Sequence, residues 1–264
     1  MGDTVNFLNT CFNRMPADEA VSILLERLLQ RRGDRIYYAN AHTIVTAAQN
    51  PQLAKALENS DLILADGSGV CWGSALLGTP LVHNLNGTDL VPTLFTSGAL
   101  KGLSVYLLGA KPGVAEAAAT KQLEAYPGLA IVGTTNGYFP AKETQKVLED
   151  IRNARPHLLL VAMGVPLQEL WIDQYAGQLP GISCMGVGAL FDFMAKRVPR
   201  APKAIRLIGM EWLWRLANEP RRLWKRYFIG NSIFCGLIIK AALETKWGNR
   251  LTYTTISRLL KAIK

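Results

Sequence analysis

Apolar positions fall into two alternating rhythms over the first three quarters of the chain. Short, nearly continuous apolar runs occupy residues 35–39, 62–65, 103–108, 129–133, 157–162 and 181–185. Each reads as a buried strand. Helical spacing fills the intervals. Residues 16–31 place Ala20, Ile23, Leu24, Arg27 and Leu28 on one face, with Asp18 and Glu19 in the first turn. Residues 44–57 read as a helix broken at Asn50-Pro51, and 70–77 as a helix ended by Gly78-Thr79-Pro80. Further helices are expected to end near Leu100 and Tyr126, to span 142–154, and to begin at Gln168. This alternation predicts an α/β fold: a Rossmann-like, mostly parallel sheet with helices on both faces. Beyond Lys196 the strand rhythm stops, and Arg200-Ala201-Pro202 marks a boundary. The remainder reads as helices at about 204–217 and 221–240, with a weakly amphipathic stretch at 252–264. Two parts result: a core, 1–195, and a helical appendage, 196–264.

In a parallel sheet, ligands bind where strands end and helices begin. Several polar residues fall at such ends: Asn40, Asp66, Gln168 and Asp192, with backbone turns at Gly109 and at 186–188. Asp66, closing the run Leu62-Ile63-Leu64-Ala65 ahead of Gly67-Ser68-Gly69, is the first candidate for a general base. The plainer reading is a helix cap, a role Asp favours. Any one of these residues by itself suits a cap or a turn; together on one edge they suit a pocket for a polar ligand. The spacing Gly67-x-Gly69-x-x-x-Gly73 invites comparison with a dinucleotide fingerprint, but its third glycine comes one place late. No phosphate-loop, nucleophile-elbow or zincin motif is present, and His42, His83 and His157 are scattered. No Asp-x-Asp pair is available to hold a divalent ion against a nucleotide diphosphate. No cofactor is expected, and an enzyme acting on such a substrate would need Arg, Lys or helix N-termini in place of a metal to stabilise the leaving diphosphate.

Charge changes the picture once the chain is divided. Residues 1–195 carry 13 Lys and Arg against 17 Asp and Glu, a balance of −4, whereas 196–264 carry 16 against 3, a balance of +13. Trp212, Trp214, Trp224, Tyr227, Phe228 and Phe234 interleave with this basic run, a mixture that suits a membrane interface better than nucleic acid. The apolar stretch 233–239, bounded by Lys240, is far short of the roughly 20 residues a spanning helix needs. Peripheral attachment to an anionic leaflet is expected instead. The N-terminus lacks the features of a secretory signal, which places the expected body of the protein in the cytoplasm. Cys11, Cys71, Cys184 and Cys235 form no Cys-x-x-Cys pair and read as core thiols.

An ordered set of short motifs resembles the WecG/TagA/CpsF family of bacterial glycosyltransferases, glycosyltransferase family 26. It comprises Ala65-Asp66-Gly67, Gly87-x-Asp89-Leu90, Leu108-Gly109-x-Lys111-Pro112 and Asn136-Gly137-Tyr138-Phe139. It continues through Val161-Ala162-Met163-Gly164-x-Pro166-x-Gln168-Glu169, Met185-Gly186-Val187-Gly188 with Asp192, and Arg200-Ala201-Pro202 with Glu211-Trp212-Leu213. The resemblance covers about residues 35–227. It implies an inverting, metal-independent transferase that moves a sugar from a UDP-sugar donor to a polyprenyl-diphosphate-linked saccharide acceptor. Such an enzyme works peripherally on the inner face of the cell membrane, in cell-surface polysaccharide synthesis. By the same resemblance Asp66 is the base, with Asn40 and Gln168 beside it. The nucleotide lies against Gly109, Ala110, Tyr138 and Asp192, with Gly164 and Gly188 in the binding turns. Arg215 and Arg222, with Lys225 or Arg226 nearby, come from the appendage to meet the diphosphate and the membrane. This chain departs from the family's pattern at Tyr38, His42 and Asn84, positions expected to surround the sugar pocket and to bear on which sugar is used.

Two other classes compete: a soluble Rossmann-type nucleotide-binding oxidoreductase, on the glycine spacing alone, and a non-catalytic protein binding membrane or nucleic acid through its basic tail. A homo-oligomer is also compatible, since the apolar segments 70–77 and 90–100 suit packing either internally or between subunits.

Overall fold

A computed structural model of the chain describes residues 3–247. Its first element was not announced by the apolar rhythm: an antiparallel hairpin of β1 (Thr4–Phe7) and β2 (Thr10–Asn13). The two residues between them, Leu8 and Asn9, have φ of 49° and 61°, a turn whose twist matches that of the flanking strands. Strands of four residues are too short for alternation to stand out, yet Val5, Phe7, Thr10 and Phe12 are all buried.

The six expected strands follow as β3 (Arg35–Ala39), β4 (Leu62–Ala65), β5 (Ser104–Gly109), β6 (Ala130–Thr135), β7 (Leu158–Ala162) and β8 (Ser183–Gly186). They build one parallel sheet in the order β4-β3-β8-β7-β5-β6. The helices of the core are α1 (Ala17–Leu29), α2 (Ala41–Gln49), α3 (Pro51–Glu58), α4 (Ser68–Leu76), α5 (Gly87–Ala99), α6 (Val114–Ala125), α7 (Thr144–Ala154), α8 (Leu167–Tyr175) and α9 (Leu190–Met194). Successive strand side chains enter opposite layers. Ile36, Tyr38, Leu158 and Leu160 pack with α1, α5, α6 and α9, whereas Tyr37, Ala39, Leu159 and Val161 pack with α2, α3, α7 and α8. Covered on both faces, β3, β4, β5, β7 and β8 need apolar residues at nearly every position, which is why they read as continuous runs, while β6 at the sheet edge has no fully buried residue.

Local chemistry explains the helix boundaries. Asn50 caps α3 by accepting from the backbone of Gln52 and Leu53 at 3.0 and 3.1 Å, so the chain does break at Asn50-Pro51. Arg27, oddly placed on the apolar stripe of α1, grips Asp34 with two hydrogen bonds of 2.7 and 2.9 Å. Most of α5 faces inward through Leu90, Val91, Leu94 and Phe95.

The appendage holds α10 (Lys203–Leu207), α11 (Glu211–Asn218), α12 (Pro220–Trp224) and α13 (Asn231–Trp247). The single helix expected near 204–217 is divided at Gly209, where φ is +72°. A turn of π-helix, Lys225–Gly230, joins α12 to α13, so that Pro220–Glu244 is one helical run of 25 residues. This corrects the short apolar stretch read from sequence. Its most apolar 18-residue window has a mean hydropathy of 1.3, long and apolar enough by length and composition to cross a membrane. Lys240, which ended the apolar stretch, pairs with Glu244 at 3.4 Å. One side of the run joins the core: Phe234, Leu237, Ile238 and Ala241 are buried, and Phe234 meets Phe7 of the hairpin edge-on at 6.1 Å. The other side leaves Phe228, Ile229, Ile239 and Leu243 exposed. The stretch 252–264 lies outside the described residues.

Docking of this helix through its aromatic anchor is testable. Phe234→Ala is expected to lower the unfolding free energy by about 3 kcal/mol, the cost of emptying a buried aromatic site. Urea denaturation measures it, and unchanged stability would mean that the helix is not held by this contact.

Candidate active site

Neighbouring strands β3 and β8 send their helices, α2 and α9, to opposite faces of the sheet. The crevice this creates at the carboxyl edge is where a ligand fits in an open α/β sheet. Here it opens into a cleft of about 1470 Å³, roofed by the appendage. Of the residues singled out from sequence, Tyr38, Asn40, Asp66, Ala110, Tyr138, Gly164, Gln168, Gly188, Asp192, Arg215 and Arg222 all line it. Gly109 does not. It sits behind the lining at φ +131°, where any Cβ would run into the Ala162 carbonyl. Its bare backbone lets Ala110, itself at φ +58°, turn into the cleft and accept from Gly137 at 2.9 Å.

Strand register brings the central pair together. Ala39 lies opposite Ala65, so the next residues, Asn40 and Asp66, emerge side by side. Asn40 caps α2 by accepting from the Thr43 amide at 3.1 Å, and its Nδ2 donates to Asp66 Oδ2 at 3.0 Å. Asp66 itself caps nothing. Gly67 is the cap residue of α4, at φ +96°, and the amide of Gly67 donates instead to Asn84 Oδ1 at 2.7 Å. The helix-cap reading of Asp66 is thereby overturned, and Asn84 acquires a structural task besides lining the cleft. Asp66 Oδ1 makes no hydrogen bond among the described residues, leaving an open acceptor. Tyr38, one layer below, is buried with its hydroxyl unpaired and its ring against Gly87. Burial, reinforced by the nearby Asp66 charge, pushes that hydroxyl's pKa upward.

On the far side Gln168 stitches two turns together. Its Oε1 accepts from the Gly164 amide at 3.2 Å and the Gly188 amide at 2.8 Å, while Nε2 donates to Glu169 Oε1 at 2.8 Å. Tyr138, on a turn held by Asn136 Oδ1 at 2.9 Å, and Asp192, in the first turn of α9, complete that wall.

The appendage supplies cations. Arg215 lies over the Phe193 ring at 5.1 Å, and its buried Nε has no partner. Arg222 is neutralised by Glu219 at 2.7 Å. Between the sequence alternatives Lys225 and Arg226, Arg226 is the one embedded in the charge cluster. Burial lowers its pKa, Tyr227 and Asp66 raise it, and Arg215 and Arg222 lower it further. Three motif pieces also meet here: Arg200 pairs with Asp89 at 2.6 Å and approaches Glu211 at 4.0 Å, while Arg206 reaches Asp89 at 3.4 Å. Burial raises the Asp89 carboxyl, but hydrogen bonds from Arg200 and Asn86 and the two guanidinium charges outweigh it and hold the pKa low. The segment read as a domain boundary and a motif piece is an ionic latch between appendage and core. Among the described residues, no three of His, Cys, Asp and Glu gather closely enough to hold a metal ion.

The profile of the glycosyl transferase WecG/TagA/CpsF family matches residues 5–248. The chain belongs to this family. An N-acetylglucosaminyldiphosphoundecaprenol N-acetyl-beta-D-mannosaminyltransferase of Bacillus spizizenii is 34% identical over 197 residues, covering 75% of this chain and 76% of the relative. A protein of the same name from Bacillus subtilis strain 168 is 32% identical over 197 residues, with the same coverage. For this member of the glycosyl transferase family, the dinucleotide reading loses its footing in the structure. β4 is an edge strand, and Gly73 is small because a Cβ there would lie 2.6 Å from Ile238.

His42 gives the cleft a pH signature. Burial, helped by the Arg226 charge, lowers its pKa from 6.5 to about 4. The unfolded chain therefore takes up this proton first, and His42 makes stability fall as pH drops from about 6.5 towards 4. Denaturant titrations across that window are expected to show this slope in the wild type and a shallower one in His42→Gln; equal slopes would contradict it.

Proposed function

We propose that this glycosyltransferase moves a sugar from a UDP-sugar to a polyprenyl-diphosphate-linked saccharide, with inversion at the anomeric carbon, in bacterial cell-surface polysaccharide synthesis. The names of the Bacillus relatives support a polyprenyl-linked acceptor. The observation that carries the chemistry is Asp66: one carboxylate oxygen fixed by Asn40, the other open to a cleft that also holds Arg215, its Nε without a partner, and the embedded Arg226. At about 1470 Å³ the cleft exceeds the roughly 300–1,000 Å³ of an ordinary ligand pocket, leaving room for donor and acceptor together.

In the reaction, the acceptor hydroxyl gives its proton to Asp66 as its oxygen bonds to the anomeric carbon. The bond from that carbon to the diphosphate oxygen breaks on the opposite face, and UDP departs with the electron pair. Arg215, Arg226 and Arg222 match the charge growing on the diphosphate, with no metal required. The nucleotide rests on the wall formed by Ala110, Tyr138 and Asp192, with Gly109 shaping it from behind. Residues 196–264 act as an appendage that completes the site. They hold the enzyme peripherally on the cytoplasmic membrane face, with the Phe228, Ile229, Ile239 and Leu243 side of the helical run towards lipid and the basic residues towards headgroups.

A UDP-release assay across UDP-sugars, with a polyprenyl-diphosphate monosaccharide acceptor and product stereochemistry determined, tests the reading. Asp66→Asn is expected to lose about 10² to 10⁴ in turnover with its fold intact. Unaltered turnover would remove Asp66 from the role. Arg215→Met is expected to cost about 10²-fold, and more than Arg222→Met, because Glu219 already offsets part of the Arg222 charge. Stabilisation by NAD but not by UDP in a thermal-shift comparison would favour the oxidoreductase class instead.

A further inference from the structure

Glu169 is the most deeply buried carboxylate near the cleft, fully shielded from solvent in the first turn of α8. Its Oε2 has no hydrogen-bond partner, and burial, opposed by hydrogen bonds from Gln168 and the backbone, pushes its pKa up to about 7. A charge-bearing group so placed is destabilising unless something else requires it. Its surroundings show what that is. The amides of Gly164 and Gly188 both point at one atom, Gln168 Oε1, at 3.2 and 2.8 Å. Two converging donors demand an acceptor, so the Gln168 amide has only one workable orientation, and its NH₂ must then find an acceptor of its own. Gly186 offers no side chain there, since even a Cβ would lie 2.9 Å from Nε2. Glu169 Oε1, at 2.8 Å, is the acceptor.

We propose that Glu169 is a positioning residue of the transferase site: by accepting from Gln168 Nε2 it locks the amide so that Oε1 clamps the Gly164 and Gly188 turns into one wall of the cleft. Glu169 touches no substrate and lies outside the lining. Its effect travels through one amide to two turns at the ends of β7 and β8, the second of which leads into α9 and Asp192. What matters is an acceptor at this place and not a negative charge, so a neutral amide serves and an apolar side chain of similar volume does not.

The test compares Glu169→Met with Glu169→Gln in the full chain. Met fills the volume and removes the unpaired oxygen, so thermal stability is expected to hold while the wall loosens. Hydrogen exchange at the Gly164 and Gly188 amides should quicken about fivefold to tenfold, the factor one net hydrogen bond provides, while Leu160 within β7 keeps its protection. Catalytic efficiency should fall about 10²-fold, as expected of a misplaced wall. Glu169→Gln should restore both to near wild-type values. Should Glu169→Met not fold, Glu169→Leu, also without an acceptor and leaving little room for water, carries the same expectation. Wild-type exchange at both glycines in Met or Leu, or a Gln variant as impaired as Met, would overturn the proposal. The activity arm rests on the transferase reading, whereas the exchange arm needs no substrate. Absence of sugar transfer by the wild type would therefore count against that reading and leave the clamp to be decided by exchange.

Discussion

Parallel strands all end on the same side, and this constraint organises the molecule. Six carboxyl ends converge on one edge, each releasing backbone groups that no further strand can pair. Side chains take over that pairing: Asn40 at the start of α2, Asn84 at the Gly67 turn, Gln168 at the Gly164 and Gly188 turns. Because these polar groups are spent on the scaffold, Asp66 is left with one oxygen held and one open. An open carboxylate oxygen is thus a by-product of how the neighbouring turns are satisfied.

The appendage adds the opposite charge. It crosses the mouth of the cleft, latched to α5 by the ion pairs of Arg200 and Arg206 with Asp89 and anchored by Phe234 in the core. Burial lowers the pKa of Arg226, and repulsion from Arg215 and Arg222 adds to it, while burial and then the Arg226 charge lower that of His42. An anion bound between them would relieve that repulsion, which is how a cationic cleft draws and holds a diphosphate. Core and appendage therefore divide the cleft: the sheet edge presents the Asp66 carboxylate, and the helices present Arg215, Arg222 and Arg226.

The same helical run joins the cleft to an exposed apolar face. Its inner side is committed to Phe7, Gly69 and Gly73, while its outer side keeps large apolar residues in the open. A helix with one side in a protein core and the other free is built to lie along a boundary, and this one brings Arg226 into the cleft from the same run.

All six sheet strands were legible in the sequence; for β3, β4, β5, β7 and β8 the reason is that a strand covered on both faces must be apolar nearly throughout, whereas the edge strand β6, with no residue fully buried, showed only through its first apolar residues. Of the candidate site residues named from sequence, all but Gly109 do line the cleft. The hairpin escaped, its four-residue strands being too brief for a period to register. So did every pairing that gives the site its properties. Asn40 meets Asp66 across 26 residues, Gln168 meets Gly188 across 20, and Arg200 reaches Asp89 from the other side of the boundary. Which of Lys225 and Arg226 is embedded in the charge cluster, and whether Asp66 caps a helix or stays open, are equally decided by tertiary structure. Periodicity and residue type are properties of the local chain, set by the geometry of one strand or one helix. Hydrogen-bond partners depend on strand order, register and helix docking, which exist only once the whole sheet has closed.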